Sequence, residues 1–479
     1  MTRARLPAVL LCFFLSGFAA LLYETVWARE FAFVFGASDL AVATVLAAYM
    51  GGLAAGAGLA GRIATRIRRP ILTYGVLELG IGLSALAVPY AIQASTGLLV
   101  ARFGGAPALP EAGGFTPALF YLVCSFLILL FPTALMGATL PLLARYAVER
   151  ESQIGSRVGL LYATNTAGAV AGTLTAAFLL LPALGLRRTV LVGAAVNLAV
   201  FVVAALLARG LPALARLEPP GRRRAPSAGD RGALILPVIF CSGVVSFTYE
   251  VLWTRLLGHI VGGSVYAFAT MLASFLLGIT LGSAAAARLA RTPSDGARGF
   301  ALAQIGTAAL SLAAFALADH LPALAEMVQA GGSGDPLGNA LVAAAVLLPV
   351  TVCIGATFPF AVRVLAAAPE EASAASARVY AWNTVGAIVG AIAAGFVLLP
   401  WLGFAGTATL GAAANLGLAA LAGLCVRPVR AVPVGLALVG LVALLALPPR
   451  PPRSQWHWAS GASGRTEDAR SIVHDHDRS

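Results

Sequence analysis

Three glutamates lie inside long apolar stretches of the sequence, where an acidic side chain is costly unless it is paired or faces water. Glu24 and Glu250 belong to two copies of one pattern, Tyr-Glu-x-x-Trp-x-Arg, at 23–29 and 249–255. Glu78 lies in a third apolar stretch, further from any loop. A carboxylate in such surroundings binds a cation, relays a proton, or forms an ion pair that joins two helices.

The Tyr-Glu-x-x-Trp-x-Arg pattern allows two interpretations. As a cation site, Glu24 and Glu250 act together with aromatic faces that replace the water around an ammonium group. Those aromatic residues are Tyr23, Trp27, Tyr249 and Trp253. As a structural element, the glutamates pair with arginines on neighbouring helices, because Arg29 and Arg255 point about 140° away from the glutamate on their own helix.

A second repeated motif, Tyr-x-x-Asn-Thr-x-Gly, occurs at 162–168 and 380–386. Its amides, Asn165 and Asn383, need a hydrogen-bond partner inside a hydrocarbon layer. For both amides we favour a bond to a neighbouring helix, with contact to a bound substrate as the alternative.

Glycines recur in two further patterns. Gly-Ala-Thr-x-Pro at 137–141 and 355–359 interrupts two long apolar stretches, which indicates either a transporter binding site or a bend required by packing. Gly56, Gly58 and Gly61 spell G-x-G-x-x-G, but the preceding strand that a dinucleotide site requires is missing from the pattern. We interpret these glycines as positions of close helix packing.

The composition indicates a polytopic helical membrane protein in contact with lipid. Of 479 residues, 59% are hydrophobic and 11% are charged, whereas soluble domains carry about 25% charged residues. The net charge of +12 comes from 32 arginines, without lysine, against 20 carboxylates. These arginines cluster between apolar stretches, as membrane topology requires, and not in a nucleic-acid-binding pattern. A soluble enzyme, a disordered chain and a nucleic-acid partner are therefore excluded.

The sequence predicts neither a cofactor nor a metal site. Its five cysteines lie in apolar stretches without C-x-x-C spacing. His474 and His476 are too few to fix a metal ion in a closed site. No nucleophile, base and orienting group are recognisable together, so no catalytic residue is assigned and enzymatic activity is not expected.

The chain is a duplication of one half. Residues 16–62 recur at a constant offset of 226, and residues 137–197 recur at an offset of 218. Each half contains six apolar stretches long enough to cross a bilayer core of about 30 Å. Because six is even, both halves enter the membrane from the same side. The predicted fold class is all-α and integral to the membrane, with two parallel, major-facilitator-like six-helix repeats and a thirteenth C-terminal helix.

The apolar stretches give the expected boundaries. The first repeat is 1–211 and the second is 233–426, separated by a basic cytoplasmic linker at 212–232. The additional helix at 431–448 has 18 residues, about 27 Å at 1.5 Å per residue, so it either crosses the membrane or lies along its surface. A polar tail at 449–479, expected to be disordered, follows.

Arginine counts predict the orientation. With a cytoplasmic N-terminus, the inside segments hold 22 arginines, the outside loops five and the tail five. The positive-inside rule then gives a multi-pass protein of the inner cell membrane whose N-terminus is cytoplasmic.

The repeat places Gln304 at the position equivalent to Glu78, so one half carries a carboxyl group where the other keeps an amide. This asymmetry indicates a central polar site with a proton or cation relay. A glutamate that is hydrogen-bonded across helices explains the same residue equally well.

Three segments resemble one family. They are Ser16-Gly17 with Tyr23-Glu24 and Trp27-Ala28-Arg29, the segment 136–141, and the segment 161–169. They look like the membrane portion of the fused major-facilitator/spermidine-synthase proteins, over about 7–448. In that family a soluble aminopropyltransferase domain follows the last helix and binds decarboxylated S-adenosylmethionine and putrescine. Here 31 residues follow Pro448, and we expect that domain and its catalysis to be absent.

The resemblance and the acidic residues together predict a carrier for a small cation such as a polyamine. Its expected binding residues are Glu24, Glu78, Glu250, Tyr23, Trp27, Tyr249, Trp253, Asn165 and Asn383. The alternative is a non-transporting scaffold or anchor for a spermidine synthase that is encoded separately or lost from this chain.

Overall fold

The computed structural model describes residues 5–35, 39–103, 115–214, 234–261, 265–328, 335–424 and 431–446. These residues form helices and short connections, and none of them is in a β-strand. The predicted linker at 212–232 (from residue 215 onward), the tail at 449–479 and its two histidines lie outside the described residues.

Six long helices form the first half. They are α1 (Leu6–Phe35), α2 (Asp39–Ile63), α3 (Pro70–Phe103), α4 (Phe115–Ala147), α5 (Ile154–Thr175) and α6 (Leu181–Arg209). The second half repeats them as α7 (Ile235–Val261), α8 (Val265–Leu289), α9 (Pro293–Ala316), α10 (Pro336–Leu365), α11 (Ala372–Ala393) and α12 (Leu399–Leu424), with a short helix at Leu321–Val328 before α10. The last helix is α13 (Ala431–Ala446).

The described helices are long and apolar enough for a membrane. Nine segments qualify as candidate spans by length and hydropathy, and two of them, Glu151–Arg209 and Pro369–Gly423, each contain two of the long helices. Helix α13 has 16 residues and packs against α12 and α9. The predicted fold class, two parallel six-helix repeats followed by a thirteenth helix, is confirmed.

Helices α5 and α6 are joined without a loop. A π-helical segment, Ala176–Leu180, continues α5, and the chain changes direction at Gly185, whose φ is 72°. The second half does the same through Ala394–Leu398 and Gly403, whose φ is 63°. A left-handed backbone of this kind favours glycine, which explains why the repeat keeps glycine at both positions.

The two halves repeat the same close contacts between helices. Gly56 on α2 lies so near the Ala134 carbonyl of α4 that a Cβ atom would overlap it, and Gly282 meets Val352 of α10 in the same way. Glycines on α5 and α11 also touch the backbone of α1 and α7 at equivalent positions, namely Gly168, Gly172, Gly386 and Gly390. Gly56 therefore serves helix packing, as predicted, and its G-x-G-x-x-G pattern lies inside a helix.

The halves meet mainly through α5 with α8 and through α2 with α11. Several contacts between them lie on the side of the molecule where α1 begins, here called the N-side. Gly155 at the start of α5 packs against the Ala290 backbone at the end of α8. The Ser373 hydroxyl at the start of α11 donates to the Pro141 carbonyl of α4 at 2.7 Å. The two halves are thus held together on the N-side.

Candidate functional site

Glu24 on α1 and Glu250 on α7 lie near each other between the two halves. The positions are equivalent in the repeat, and both side chains are partly buried. The charge that acts on the Glu250 carboxylate is that of Glu24. Two like charges in apolar surroundings are costly unless a cation or a proton neutralises them. The pair is therefore suited to hold a cation.

Glu24 has a hydroxyl partner that Glu250 lacks at the equivalent position. The Tyr49 hydroxyl on α2 is a hydrogen-bond partner of the Glu24 carboxylate, and it also lies 3.3 Å from the Ala20 carbonyl. In the second half the residue equivalent to Tyr49 is Phe275. Glu250 therefore has no hydroxyl from that position, which leaves its carboxylate the freer of the two.

A cleft beside Glu250 is lined mostly by apolar side chains. Its lining consists of Thr254, Phe268, Met271, Leu272, Phe275 and Leu347, together with the glutamate itself. Electrostatic attraction is stronger in such low-dielectric surroundings than in water. The charge of Glu250 is therefore weakly screened on the side of this cleft.

Three aromatic rings from both halves pack together on the N-side of the glutamates. The ring centroids of Tyr162 on α5 and Phe358 on α10 are 4.5 Å apart, and those of Phe358 and Tyr380 on α11 are 6.2 Å apart. The Glu24 charge acts on the Tyr380 hydroxyl, so this aromatic layer lies next to the carboxylates. The Gly-Ala-Thr-x-Pro motif of the second half supplies Phe358 to this layer.

Arg363 on α10 links the halves further toward the N-side. Its side chain is buried, and its Nε and Nη1 groups donate to the carbonyls of Arg291 at 3.0 Å and Ala366 at 2.9 Å. Its Nη2 group donates to the Glu151 carboxylate of the first half at 2.6 Å, although that glutamate side chain is 58% exposed. The Arg363 guanidinium therefore bonds to three connections between helices. Two of them, α8–α9 and α10–α11, belong to the second half, and one, α4–α5, belongs to the first half.

Replacing Arg363 by methionine is expected to destabilise the protein by about 3 kcal/mol, because two carbonyls lose their buried charged donor. Glu151→Gln should cost less than about 1 kcal/mol, because exposed ion pairs contribute little. Thermal unfolding of both purified variants in one detergent tests this ranking. Equal melting temperatures for Arg363→Met and wild type would show that Arg363 does not anchor the N-side.

The four aromatic residues predicted to surround the cation are buried within their own halves. Tyr23 donates to Asn197 Oδ1 on α6 at 2.7 Å and stacks on Trp27, with 5.3 Å between the ring centroids. Tyr249 donates to the Ala408 carbonyl on α12 at 3.4 Å, and Trp253 is 2% exposed. These four rings are thus packed inside the halves that carry Glu24 and Glu250.

The structure does not bring Glu78 to the other two glutamates. It lies on α3, fully buried inside the first half, where Asn197 Nδ2 donates to its Oε2 atom at 2.7 Å.

The predicted amide positions also serve contacts within each half. Asn165 Nδ2 donates to the Phe13 carbonyl of α1 at 3.0 Å, and the backbone of Asn383 lies against Gly243 of α7.

Solved structures of transporters match the chain along most of its length. The E. coli fucose:proton symporter gives a TM-score of 0.52 at 16% identity and covers 88% of this chain and 99% of its own. The human organic anion transporter MFSD10 gives 0.51 at 15% identity, covering 86% and 98%. A bacterial homologue of the iron transporter ferroportin, in the outward-facing state with soaked iron, gives 0.54 at 14% identity, covering 86% and 97%. The chain has the major-facilitator fold.

Sequence comparison adds a partial relative. The chain matches no family model. Polyamine aminopropyltransferase 2 from Streptomyces coelicolor is 31% identical over 196 residues, which are 39% of this chain and 34% of that protein. The chain thus spans about a third of the length of this relative.

Within the major-facilitator fold, the structure adds residues to the site that the sequence did not single out. Tyr49 and Tyr380 lie near Glu24, and Phe358 packs against Tyr380. Arg363 and Glu151 lie further toward the N-side. Arg363 could have been selected from the sequence, because it is an arginine at the end of an apolar stretch. The aromatic residues could not have been selected in this way, since aromatic side chains are common throughout a membrane protein.

Proposed function

We propose that this chain is a membrane carrier for a small organic cation, with Glu24 and Glu250 as the residues that neutralise the cation. The supporting observation is that carboxylates from equivalent positions of the two halves lie close enough for the charge of Glu24 to act on Glu250. In a carrier whose halves rock about a central site, such a pair becomes accessible from each side in turn.

A molecule with two ammonium groups suits this pair best, so the proposed substrate class is a polyamine. Each carboxylate neutralises one ammonium group, whereas a monoamine leaves one carboxylate without a partner. Phe268 and Met271 offer apolar surface for the methylene chain, and Tyr49 and Tyr380 offer ring faces for its charged ends. The partial similarity to a polyamine aminopropyltransferase supports the same class of molecule.

The proposed location is the inner cell membrane, with the N-side toward the cytoplasm. Among the described residues, the last turn of α2 and the connection to α3 lie on the N-side and are rich in arginine, with Arg62, Arg66, Arg68 and Arg69. This distribution follows the positive-inside rule. We propose the boundaries 1–211 and 233–426 for the two repeats, so that the linker at 212–232 would also be cytoplasmic.

Uptake of radiolabelled putrescine into proteoliposomes tests the carrier proposal. We expect saturable uptake that unlabelled putrescine inhibits at a concentration at least about tenfold below that needed for butylamine, a monoamine with the same carbon chain. A tenfold ratio corresponds to about 1.4 kcal/mol of extra binding from the second ammonium group. Equal inhibition by both amines would overturn the two-carboxylate site, while transport itself would stand.

A second candidate function is a scaffold that holds an aminopropyltransferase at the membrane, which the partial match to such an enzyme favours. This function requires no transport. Folded, monodisperse protein that takes up no putrescine under any imposed gradient would support it and overturn the carrier. Glu24→Gln and Glu250→Gln would then leave the polyamine content of cells unchanged.

A further inference from the structure

Glu78 forms a second acidic site, inside the first half and apart from the Glu24–Glu250 pair. Its side chain is 0% exposed and faces α1 and α6 from α3. The Oε2 atom accepts the hydrogen bond from Asn197, and the Ser16 and Tyr74 hydroxyls lie beside the same carboxyl group. Among the described residues, however, the Oε1 atom has no partner with good hydrogen-bond geometry. A buried carboxyl oxygen without a partner is unusual and calls for a physical reason.

The groups around this carboxyl are neutral. Cys12, Ser16 and Tyr23 face it from α1, Tyr74 from its own helix α3, and Asn197 from α6. None of these five side chains supplies a positive charge. An ionised Glu78 is therefore costly, while a proton on Oε1 would give that atom a donor to share with a neighbouring hydroxyl.

The second half shows that packing alone does not require an acid here. Gln304 occupies the equivalent position and donates from Nε2 to the Ser242 hydroxyl at 2.7 Å. Ser242, Tyr249 and Asn415 in turn correspond to Ser16, Tyr23 and Asn197. The same buried polar cluster is thus built with an amide, which cannot exchange a proton. Proton exchange is the property that the carboxyl group adds.

A chain of contacts leads from Glu78 to the central pair. Asn197 joins Glu78 to Tyr23, and the Tyr23 ring stacks on Trp27 with an interplanar angle of 9°. The ring centroids of Trp27 and Tyr49 are 6.5 Å apart, and the Tyr49 hydroxyl reaches the Glu24 carboxylate. An ionised Glu78 can only accept hydrogen bonds. It therefore fixes the orientation of the Asn197 side chain, whose NH₂ group must point toward α3. A protonated Glu78 releases that constraint.

We propose that Glu78 holds the coupling proton of this carrier and that its protonation state is transmitted to Glu24 through Asn197, Tyr23, Trp27 and Tyr49. The proton comes from the surrounding water, binds to the Glu78 carboxylate and leaves from it later in the cycle, so the chemistry is balanced without a further reactant. The coupling role rests on the proposed carrier function, whereas the proton site itself does not.

Infrared difference spectra of the purified protein during a pH titration test the proton site without any substrate. We expect Glu78→Gln to remove one titrating carboxyl band, while the matched control Glu370→Gln, in an exposed connection, keeps that band. An unchanged set of titrating bands in Glu78→Gln would overturn the proposal. If that variant does not fold, Asn197→Ser, which removes the hydrogen bond to Oε2 but keeps the acid, should shift the titration midpoint, and an unshifted midpoint would count against the site.

Putrescine transport in proteoliposomes tests the coupling role. Glu78→Gln is expected to lose uptake driven by a pH gradient by at least about tenfold, while exchange of labelled for unlabelled putrescine at equal pH continues. Gradient-driven uptake that survives the substitution would overturn the coupling role. A wild type that shows the Glu78 carboxyl band but no transport would refute the carrier and leave the proton site in place, so the two failures are distinguishable.

Discussion

Glu250→Gln is expected to lower kcat/KM for putrescine uptake by about a hundredfold. The substitution keeps the size of the side chain but removes one of the two charges that face the substrate. Loss of one partner of a buried charge pair costs about 3 kcal/mol or more, and about 2.7 kcal/mol corresponds to a factor of a hundred. Initial rates of radiolabelled uptake over a range of putrescine concentrations provide the measurement.

The matched control removes the same charge elsewhere. Glu370 lies exposed in the connection between α10 and α11, so Glu370→Gln should transport like wild type. Glu24→Gln should be less damaging than Glu250→Gln, because Tyr49 already takes part of the hydrogen-bonding capacity of Glu24. An uptake defect of the same size in Glu370→Gln, or no defect in Glu250→Gln, would contradict the assignment of the site.

The architecture could be predicted from the sequence because the repeated motifs reveal the duplication even in a chain that is apolar almost throughout. Offsets of 226 and 218 residues predicted parallel halves, and the structure repeats the helix contacts at those offsets. The ends of helices were less predictable. Apolar stretches mark the part of a helix inside the membrane, so α5 begins at Ile154 although its apolar stretch begins near 158.

Which glutamates would meet was only partly predictable. The equivalence of Glu24 and Glu250 placed them symmetrically, because a repeat axis brings equivalent positions of the inner helices toward each other. The direction in which the Glu78 side chain points depends on the rotation of α3 about its own axis. A helix that is apolar all round has no polar face from which that rotation can be read, so the sequence did not separate Glu78 from the central pair.

Gly56→Ala is expected to destabilise the protein by about 3 kcal/mol, whereas Gly58→Ala is expected to be neutral or stabilising by up to about 1 kcal/mol. A Cβ atom at Gly56 would overlap the Ala134 backbone, so α2 and α4 would have to move apart. At Gly58 a Cβ atom meets nothing within 4 Å, and alanine is the better helix former. Thermal unfolding and size-exclusion profiles of both variants provide the test.

The second half already carries the substitution that is expected to be harmless. Gly282 keeps the glycine of Gly56, whereas the residue equivalent to Gly58 is Ala284. If the G-x-G-x-x-G pattern held a phosphate, the loss of Gly58 would impair binding without affecting stability. If it serves the contact between α2 and α4, Gly56 and Gly282 resist replacement by alanine, whereas Gly58 does not. Equal melting temperatures for Gly56→Ala and Gly58→Ala would contradict the packing assignment, and a similar loss in Gly282→Ala would extend that assignment to both halves.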